Sequence, residues 1–337
     1  MRKAFLIAIC VVLLPKLRAQ DPIFTQYFLV PETLNPAFTG YLETGSLGLI
    51  HRSQWPDLNL RVDTDYVYGS EWIDRMQSGV GLSVLNHREN FTGYVFTQLN
   101  AAYAYRVQLS NDWYFRPAVE IGAGFKSYGF NDLILQDQLN IGTGTINPIT
   151  SDPSALDARE KIWFADLSAA MLLNNETTWF GLSLKHLNRP DISLTQRGNL
   201  PLEMFFAASM GHRLKVADYL DATILPYETD LLLNANIMKQ GEFSRVDLGA
   251  ELLFKDFFFG VSFATSPFTK TTNASFLTSV NAFAGLQYEH FKFGLSHDFN
   301  TTGIGRTGGV YELSIGYQFD LYVNCLGCPQ RGTDRDW

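Results

Sequence analysis

Cysteine is nearly absent from this chain. Only Cys10, Cys325 and Cys328 occur in 337 residues, too few for a disulfide-built scaffold. Long apolar runs are also missing. Beyond the first twenty residues nothing approaches the ~20 consecutive apolar residues of a membrane-spanning helix. The rest of the chain is therefore either soluble or crosses a bilayer as a closed barrel, since only helices and closed barrels satisfy their own backbone hydrogen bonds in lipid. Positive charge is scarce, with 26 Lys and Arg against 34 Asp and Glu. No basic stripe is present, which argues against nucleic acid as a partner. Catalytic spacing is lacking too. His51, His87, His186, His212, His290 and His297 have no metal-ligand spacing. Ser83, Ser183 and Ser262 follow Gly-x but lack the second glycine of a nucleophile elbow, and Gly122 and Gly124 lack the third glycine of a dinucleotide loop. We expect no catalytic, cofactor or metal site, and no enzyme.

The first residues read as an export signal. Arg2 and Lys3 are a basic start, Ala4 to Leu14 is an apolar run too short to anchor, and Pro15 breaks it. Cleavage is expected between Ala19 and Gln20, making 1–19 a signal peptide. Removing its four cations, Arg2, Lys3, Lys16 and Arg18, leaves acids in excess by about twelve. The composition, with 26 Phe, 15 Tyr and 27 Gly, suits a barrel with aromatic girdles and equally a large β-sandwich.

Period-two alternation decides between them. Leu99, Ala101, Tyr103, Tyr105 and Val107 alternate with Asn100, Ala102, Ala104 and Arg106; Tyr311, Leu313, Ile315, Tyr317 and Phe319 alternate with Glu312, Ser314, Gly316 and Gln318. Such segments are strands with one apolar and one polar face. Fourteen are expected: 45–53, 59–70, 78–87, 94–107, 112–126, 161–174, 178–187, 202–214, 219–234, 243–254, 257–264, 280–289, 291–299 and 308–320. Pro226 is placed at a bulge in the ninth. Many reach the 9–11 residues of a tilted membrane-crossing strand. Short connections (109–111, 175–177, 215–218, 255–256, 290) alternate with long ones (88–93, 127–160, 188–201, 235–242, 265–279, 300–307), as periplasmic turns alternate with outer loops in bacterial barrels. The fold class is thus an all-β transmembrane antiparallel barrel of about 14 strands. An N-terminal plug or lid (20–44), the barrel (45–320) and a tail (321–337) follow the signal. Even strand parity places both termini in the periplasm, in an integral outer-membrane protein.

Arg61, Asp63, Asp65, Arg106, Asp166, Lys185, Arg245, Asp247, Glu251, Lys292, Asp298 and Glu312 fall on polar faces. They read as inward charges, either neutralised by cross-strand pairs and water or gripping a segment of a partner. Cys325 and Cys328, in Cys-Leu-Gly-Cys with no further ligand nearby, suggest a local disulfide. The 127–160 loop is too long to be idle and is expected to fold over or into the barrel mouth. Long loops carry Phe130, Leu133, Ile134, Ile146, Leu194, Phe268 and Phe276, and of these Phe130, Ile134 and Phe276 are candidates for partner binding.

The segment after the signal is the most informative. It reads Asp21-Pro22-Ile23-Phe24-Thr25-Gln26-Tyr27, then Asn35-Pro36-Ala37-Phe38-Thr39-Gly40. Asn35 suits an N-cap, Pro36 the first helical position and Gly40 the exit. This opening resembles that of the PorP/SprF family of the type IX secretion system. Arg52, Gln54 and Trp55 match its Arg-x-Gln-Trp, Asp137 and Gln138 its loop Asp-Gln. Gly181, Ser183, His186, Leu187 and Pro190 match a strand end, and Gly308, Gly309, Tyr311, Glu312 and Leu313 the last hairpin. His297-Asp298 stands where the family has Tyr-Asp, and the cysteine tail is outside its pattern. The resemblance implies a non-catalytic role without cofactors: helping to export a large secreted adhesin of Bacteroidota and holding it at the surface through its C-terminal sorting domain, in some cases for gliding motility. Other members are core machinery that binds a periplasmic peptidoglycan-linked partner. Membrane lipid and other type IX components are further expected partners. A general solute porin and a barrel enzyme are the rival readings.

Overall fold

Alternation of polarity along each strand gives this chain two faces with different solvents, and the sheet closes on itself to separate them. The computed structural model describes residues 20–129, 134–152, 156–196, 198–216, 229–267, 277–301 and 307–319. Fourteen strands form the barrel: β1 (Ser46–Gln54), β2 (Val62–Ile73), β3 (Ser78–Glu89), β4 (Tyr94–Tyr105), β5 (Tyr114–Ser127), β6 (Lys161–Asn174), β7 (Thr178–Lys185), β8 (Phe205–Lys215), β9 (Thr229–Gln240), β10 (Phe243–Phe254), β11 (Phe257–Thr265), β12 (Leu277–Tyr288), β13 (Phe291–Asn300) and β14 (Val310–Gln318). Each pairs antiparallel with its sequence neighbours, and β14 closes on β1 with Ser46 opposite Gln318 and Gln54 opposite Val310. Among the described strands none is left as an unpaired edge.

The apolar face points outward. On β14, Tyr311, Leu313 and Ile315 are exposed while Val310, Glu312 and Ser314 are buried; β6 repeats this with Trp163, Leu167 and Met171 outside and Phe164, Asp166 and Ser168 inside. A band of exposed Leu, Ile, Val and Phe around the wall makes sense only against lipid. Aromatics mark its two borders. Phe291, Tyr317 and Phe319 pack at one. At the other, Lys161 lies 3.8 Å from the Phe125 ring centre and 4.5 Å from that of Trp163, a residue 70% exposed.

The connections sort by end. One end carries 55–61, 90–93, 128–160, 186–204, 241–242, 266–276 and 301–309; the other carries 74–77, 106–113, 175–177, 216–228, 255–256 and 289–290. The long-loop and short-turn ends are thus as expected, with one exchange. The ninth strand differs from its expected range 219–234: residues 219–228 lie outside the described residues, and the rest continues beyond 234. It runs Thr229–Gln240, so the expected long connection 235–242 is a two-residue turn at Gly241 and Glu242. The reason is that Asn234, Asn236 and Gln240, loop-like in sequence, are buried lumen residues. Likewise 88–93 shrinks to four turn residues. Pro226 lies outside the described residues.

Two expected inward charges face out. Asp63 and Asp65 share the outward face with exposed Val67, near the long-loop end, where Arg61 pairs with Asp63 at 2.9 Å and His51 meets Asp65 at 2.7 Å. Above the lipid band the outer face is polar again, so parity read from polarity flips there.

The core lies inside the barrel, around a plug made by residues 20–45. Two single 3₁₀ turns, Pro31–Thr33 and Pro36–Phe38, organise it. Asn35 Oδ1 accepts from Ala37 N at 2.8 Å, with Pro36 at the first helical position. Three buried clusters join plug to wall: Phe24 and Val30 with Ile50 and Tyr66; Ile23, Tyr27 and Leu34 with Phe205 and Met238; Ala37 and Phe38 with Ala118 and Leu172. A fourth cluster sets Ile192 and Leu202, from the 186–204 connection, on Phe96, Ile162 and Phe164 at the mouth. This loop, rather than 127–160 alone, folds into the opening. Its Leu194 packs there and accepts from Arg159 N at 2.6 Å.

Candidate functional site

The plug threads the lumen from end to end. Asp21 sits by His186 and Gln240, at the long-loop end, and Glu43 sits by Arg106 at the short-turn end. Asp21 and Phe319 therefore lie at opposite ends of the barrel. The expectation that both termini are periplasmic falls on 1–19 and 320–337, which lie outside the described residues.

The first anchor is an imidazole between two carboxylates. His186 follows β7 directly, with backbone φ of 59°. Its Nε2 is 2.7 Å from Asp21 Oδ2 and its Nδ1 is 2.8 Å from Asp166 Oδ2. Gln98 Nε2 also donates to Asp166, at 2.9 Å, and Asp21 N donates to Gln240 Oε1 at 2.7 Å. Burial alone would lower the His186 pKa, but the two carboxylates outweigh it and lift it to about 10. Burial works in the opposite sense on Asp21, and the cationic ring beside it still holds its carboxyl below the ordinary range.

The second anchor spans the closing seam. Glu312 on β14 accepts from Thr25 N at 2.8 Å and Gln26 N at 3.0 Å, and from Arg52 Nη1 of β1 at 2.7 Å. Thr25 Oγ1 donates to Asp298 at 2.7 Å. The Gln26 amide donates to Glu312 O at 3.1 Å and accepts from Ser314 Oγ at 2.6 Å. Gln54 Oε1 accepts from Arg52 at 3.2 Å, and Trp55, at φ 56°, starts the turn by donating its N–H to Gly309 O at 3.0 Å.

Further along, Tyr27 Oη donates to Asn234 Oδ1 at 2.8 Å. Asn35 Nδ2 donates to Met171 O at 3.2 Å, and Ser183 Oγ to Leu34 O at 2.6 Å. A Cβ at Gly181 would stand 2.6 Å from Asn35 Nδ2, so glycine makes room for the plug there. At the far end Gly40 has φ of +66°, and a Cβ on it would lie 2.6 Å from the Gly79 Cα. Arg116 then reaches Glu43 at 3.1 Å and lies 5.3 Å from the Tyr41 ring centre.

Asp21, Phe24, Gln26, Tyr27, Asn35, Arg52 and Gln54 therefore converge on one device, with Pro36, Gly40 and Trp55 shaping its turns. Pro22 lines a small polar cavity beside Glu120 and Lys185. The role of His186 was missed, as were Arg116, Glu120 and Lys126 as lumen charges; no local spacing joins positions 21, 166 and 186. Asp137 and Gln138 instead fold their own loop, Asp137 accepting from Thr150 Oγ1 at 2.9 Å and Gln138 Nε2 donating to Asn147 O at 3.1 Å. Of the proposed partner-binding residues, Ile134 is 57% exposed, whereas Phe130 and Phe276 lie outside the described residues, as do Cys325 and Cys328. Among the described residues no group of three or more His, Cys, Asp or Glu side chains is arranged so that it could hold a metal ion.

Solved outer-membrane proteins overlap the chain loosely. A Pseudomonas aeruginosa FadL homologue is 11% identical at TM-score 0.42, covering 85% of this chain and 93% of its own. The P. putida toluene transporter TodX is 9% identical at 0.46, covering 85% and 92%. The Acinetobacter baumannii outer membrane protein Omp33 is 7% identical at 0.43, covering 82% and 98%. No curated relative matches in sequence. The family model for the type IX secretion system membrane protein PorP/SprF matches residues 17–317. Nearly the whole chain, plug and barrel together, carries that pattern, and this outer-membrane barrel belongs to the PorP/SprF family.

Proposed function

We propose that this barrel is a non-catalytic partner in type IX secretion, which helps export a large adhesin and holds it at the cell surface by its C-terminal sorting domain. The observation that carries this reading is the filled lumen. A barrel whose axis is occupied by its own clasped chain is poorly suited to pass solutes, which disfavours the porin. What it offers instead is a rigid rim and loops. In the described part of the longest loop, Ile134, Leu139, Ile141, Ile146 and Ile149 are all more than half exposed or nearly so, Ile141 at 95%. Such a concentration of exposed aliphatics on a polar loop suits a protein interface. Together with Phe130 and Phe276, this loop forms the cradle for the sorting domain.

The long loops face the exterior and the short turns, with the tail beyond Phe319, face the periplasm. Labelling of single reporter cysteines in whole cells, at a loop site and near Asp334, should modify the loop and spare the tail. Purification from the native host should recover the adhesin with the barrel. If the adhesin is absent from a preparation that retains other secretion components, anchoring is wrong. A stable large conductance of the intact protein in planar bilayers would restore the porin.

A further inference from the structure

Between the rear half of the plug and the barrel wall lies a cavity of about 160 Å³, bordered by Glu176 and Thr177 of a short turn and by Ser46 and Ser70 at that end of the wall. It therefore opens at the short-turn end, away from the loops assigned to the adhesin. Its walls are mainly apolar, including Phe28, Leu34, Phe38, Trp179 and Met210. One polar side chain of the wall, Glu251, is buried, 1% exposed, with its Oε2 left without a hydrogen bond. The plug contributes a second, Glu32, whose Oε2 is buried without a hydrogen bond. Buried polar atoms in native proteins nearly always have partners, so two such carboxylate oxygens on one apolar cavity call for an occupant.

Charge indicates its chemistry. The lining holds the carboxylates of Glu32, Glu176 and Glu251 against the cations of Arg213 and Lys292. Arg213 already faces Asp230, at 3.9 Å. Burial lifts Glu32 to about 7, a carboxyl that a cation would return to its ionised form. An apolar shaft with carboxylates within it matches a lysine side chain, whose methylene stem packs on apolar walls while its ammonium seeks an acceptor.

We infer that the short-turn cavity is a peptide-binding site, taking a lysine flanked by apolar residues from a polypeptide that approaches the short-turn end. Glu32 and Glu251 accept from the ammonium, and Trp179 packs on the stem. Because the site is on the other end of the barrel, it stands or falls separately from the adhesin cradle.

The test uses the full chain in detergent, with Trp179 emission as the signal and Trp179→Phe to assign it. The probes are the peptide acetyl-Leu-Phe-Lys-Leu-amide, its norleucine analogue and n-butylamine. The lysine peptide should quench the emission saturably. Loss of a charged hydrogen bond is worth at least about tenfold in affinity, so the norleucine analogue should bind that much more weakly. Glu32→Gln and Glu251→Gln should each weaken the lysine peptide and leave the analogue unchanged. Should Glu251→Gln fail to insert, Glu32→Gln, on the plug, decides alone. Equal binding of both peptides overturns the carboxylate role. Butylamine binding as tightly as the peptide makes this a small-amine site and overturns the peptide. Absence of any saturable quench overturns the site itself.

Discussion

Glu312→Ala is the sharpest probe of how the plug is held. In the native chain this carboxylate, 1% exposed, accepts from Thr25 N, Gln26 N, Ser296 Oγ and Arg52. Its removal leaves two plug amides without acceptors and Arg52 with Gln54 and one carboxylate, Asp298, at 3.5 Å. Breaking a buried pair from one side costs about 3–5 kcal/mol, a factor of roughly 10²–10⁴ in the seated population of the front segment. Against that stand Ile23, Phe24, Tyr27 and Val30, all buried. At about 1.5–3 kcal/mol each, their burial contributes on the order of 6–12 kcal/mol as an upper estimate. Apolar burial therefore outweighs the lost anchor. The rear of the plug keeps its own contacts through Asn35, Phe38 and Glu43. The expected outcome in planar bilayers is a barrel that stays closed with brief openings, while deletion of 20–44 conducts continuously. Hydrogen exchange should show faster amides over 22–30 and unchanged amides over 35–40. Continuous conductance from Glu312→Ala, equal to that of the deletion, would refute the division of labour between apolar and polar anchors.

The His186 clasp gives a pH profile. A folded pKa lifted to about 10 means that the histidine contributes fully below its ordinary 6.5 and loses its contribution as pH rises through about 10; Asp21, lowered from 3.8, contributes above that value and is lost only in stronger acid. Exchange protection of 21–26 should be flat between the ordinary values of 3.8 and 6.5, decline from 6.5 to about 10, and fall again in stronger acid, and His186→Gln should abolish the alkaline decline; an unchanged alkaline limb in that variant would sink the assignment. Gly40→Ala combines a left-handed backbone, about 1–3 kcal/mol of strain, with a backbone collision at Gly79. It should lower the urea midpoint of the folded barrel, and a wild-type midpoint would show that the plug turn relaxes freely. Changing Phe130, Ile134 and Phe276 together to Ser should release the adhesin into the medium with the barrel inserted normally. Retention of the adhesin on those cells would move the contact to the lumen or the opposite rim.

Most of the barrel is legible because lipid and lumen demand opposite polarities from alternate residues. Tyr311 to Phe319 declares its face without reference to any other segment. Legibility fails where one of those solvents changes. Asp63 and Asp65 stand on the outer wall above the lipid, so their polarity points the wrong way. Leu231, Leu232 and Leu233 run without alternation, and the asparagines after them look like a loop, which shifted the ninth strand. The plug turn was legible from Asn35, Pro36 and Gly40, since capping is local. The clasp was not: Asp21, Asp166 and His186 meet only after the sheet has closed, and Arg52 opposite Glu312 is a register, which a single strand cannot announce.

That register has a bearing on how the molecule is assembled. Arg52 belongs to the first strand and Glu312 to the last, and they are cross-strand partners at the junction that turns a sheet into a cylinder. The same carboxylate also receives the amides of Thr25 and Gln26. The leading residues of the chain thus act as a template held between the first and last strands made, and they must already be indoors when those strands meet. A finished cylinder would offer them no side entrance, only a passage along the axis past Tyr66, Trp72 and Arg116. Closure of the wall and seating of its occupant are in this sense a single cooperative step, and a chain synthesised without its first segment would have to find the final hairpin's register with its longest-range guide removed.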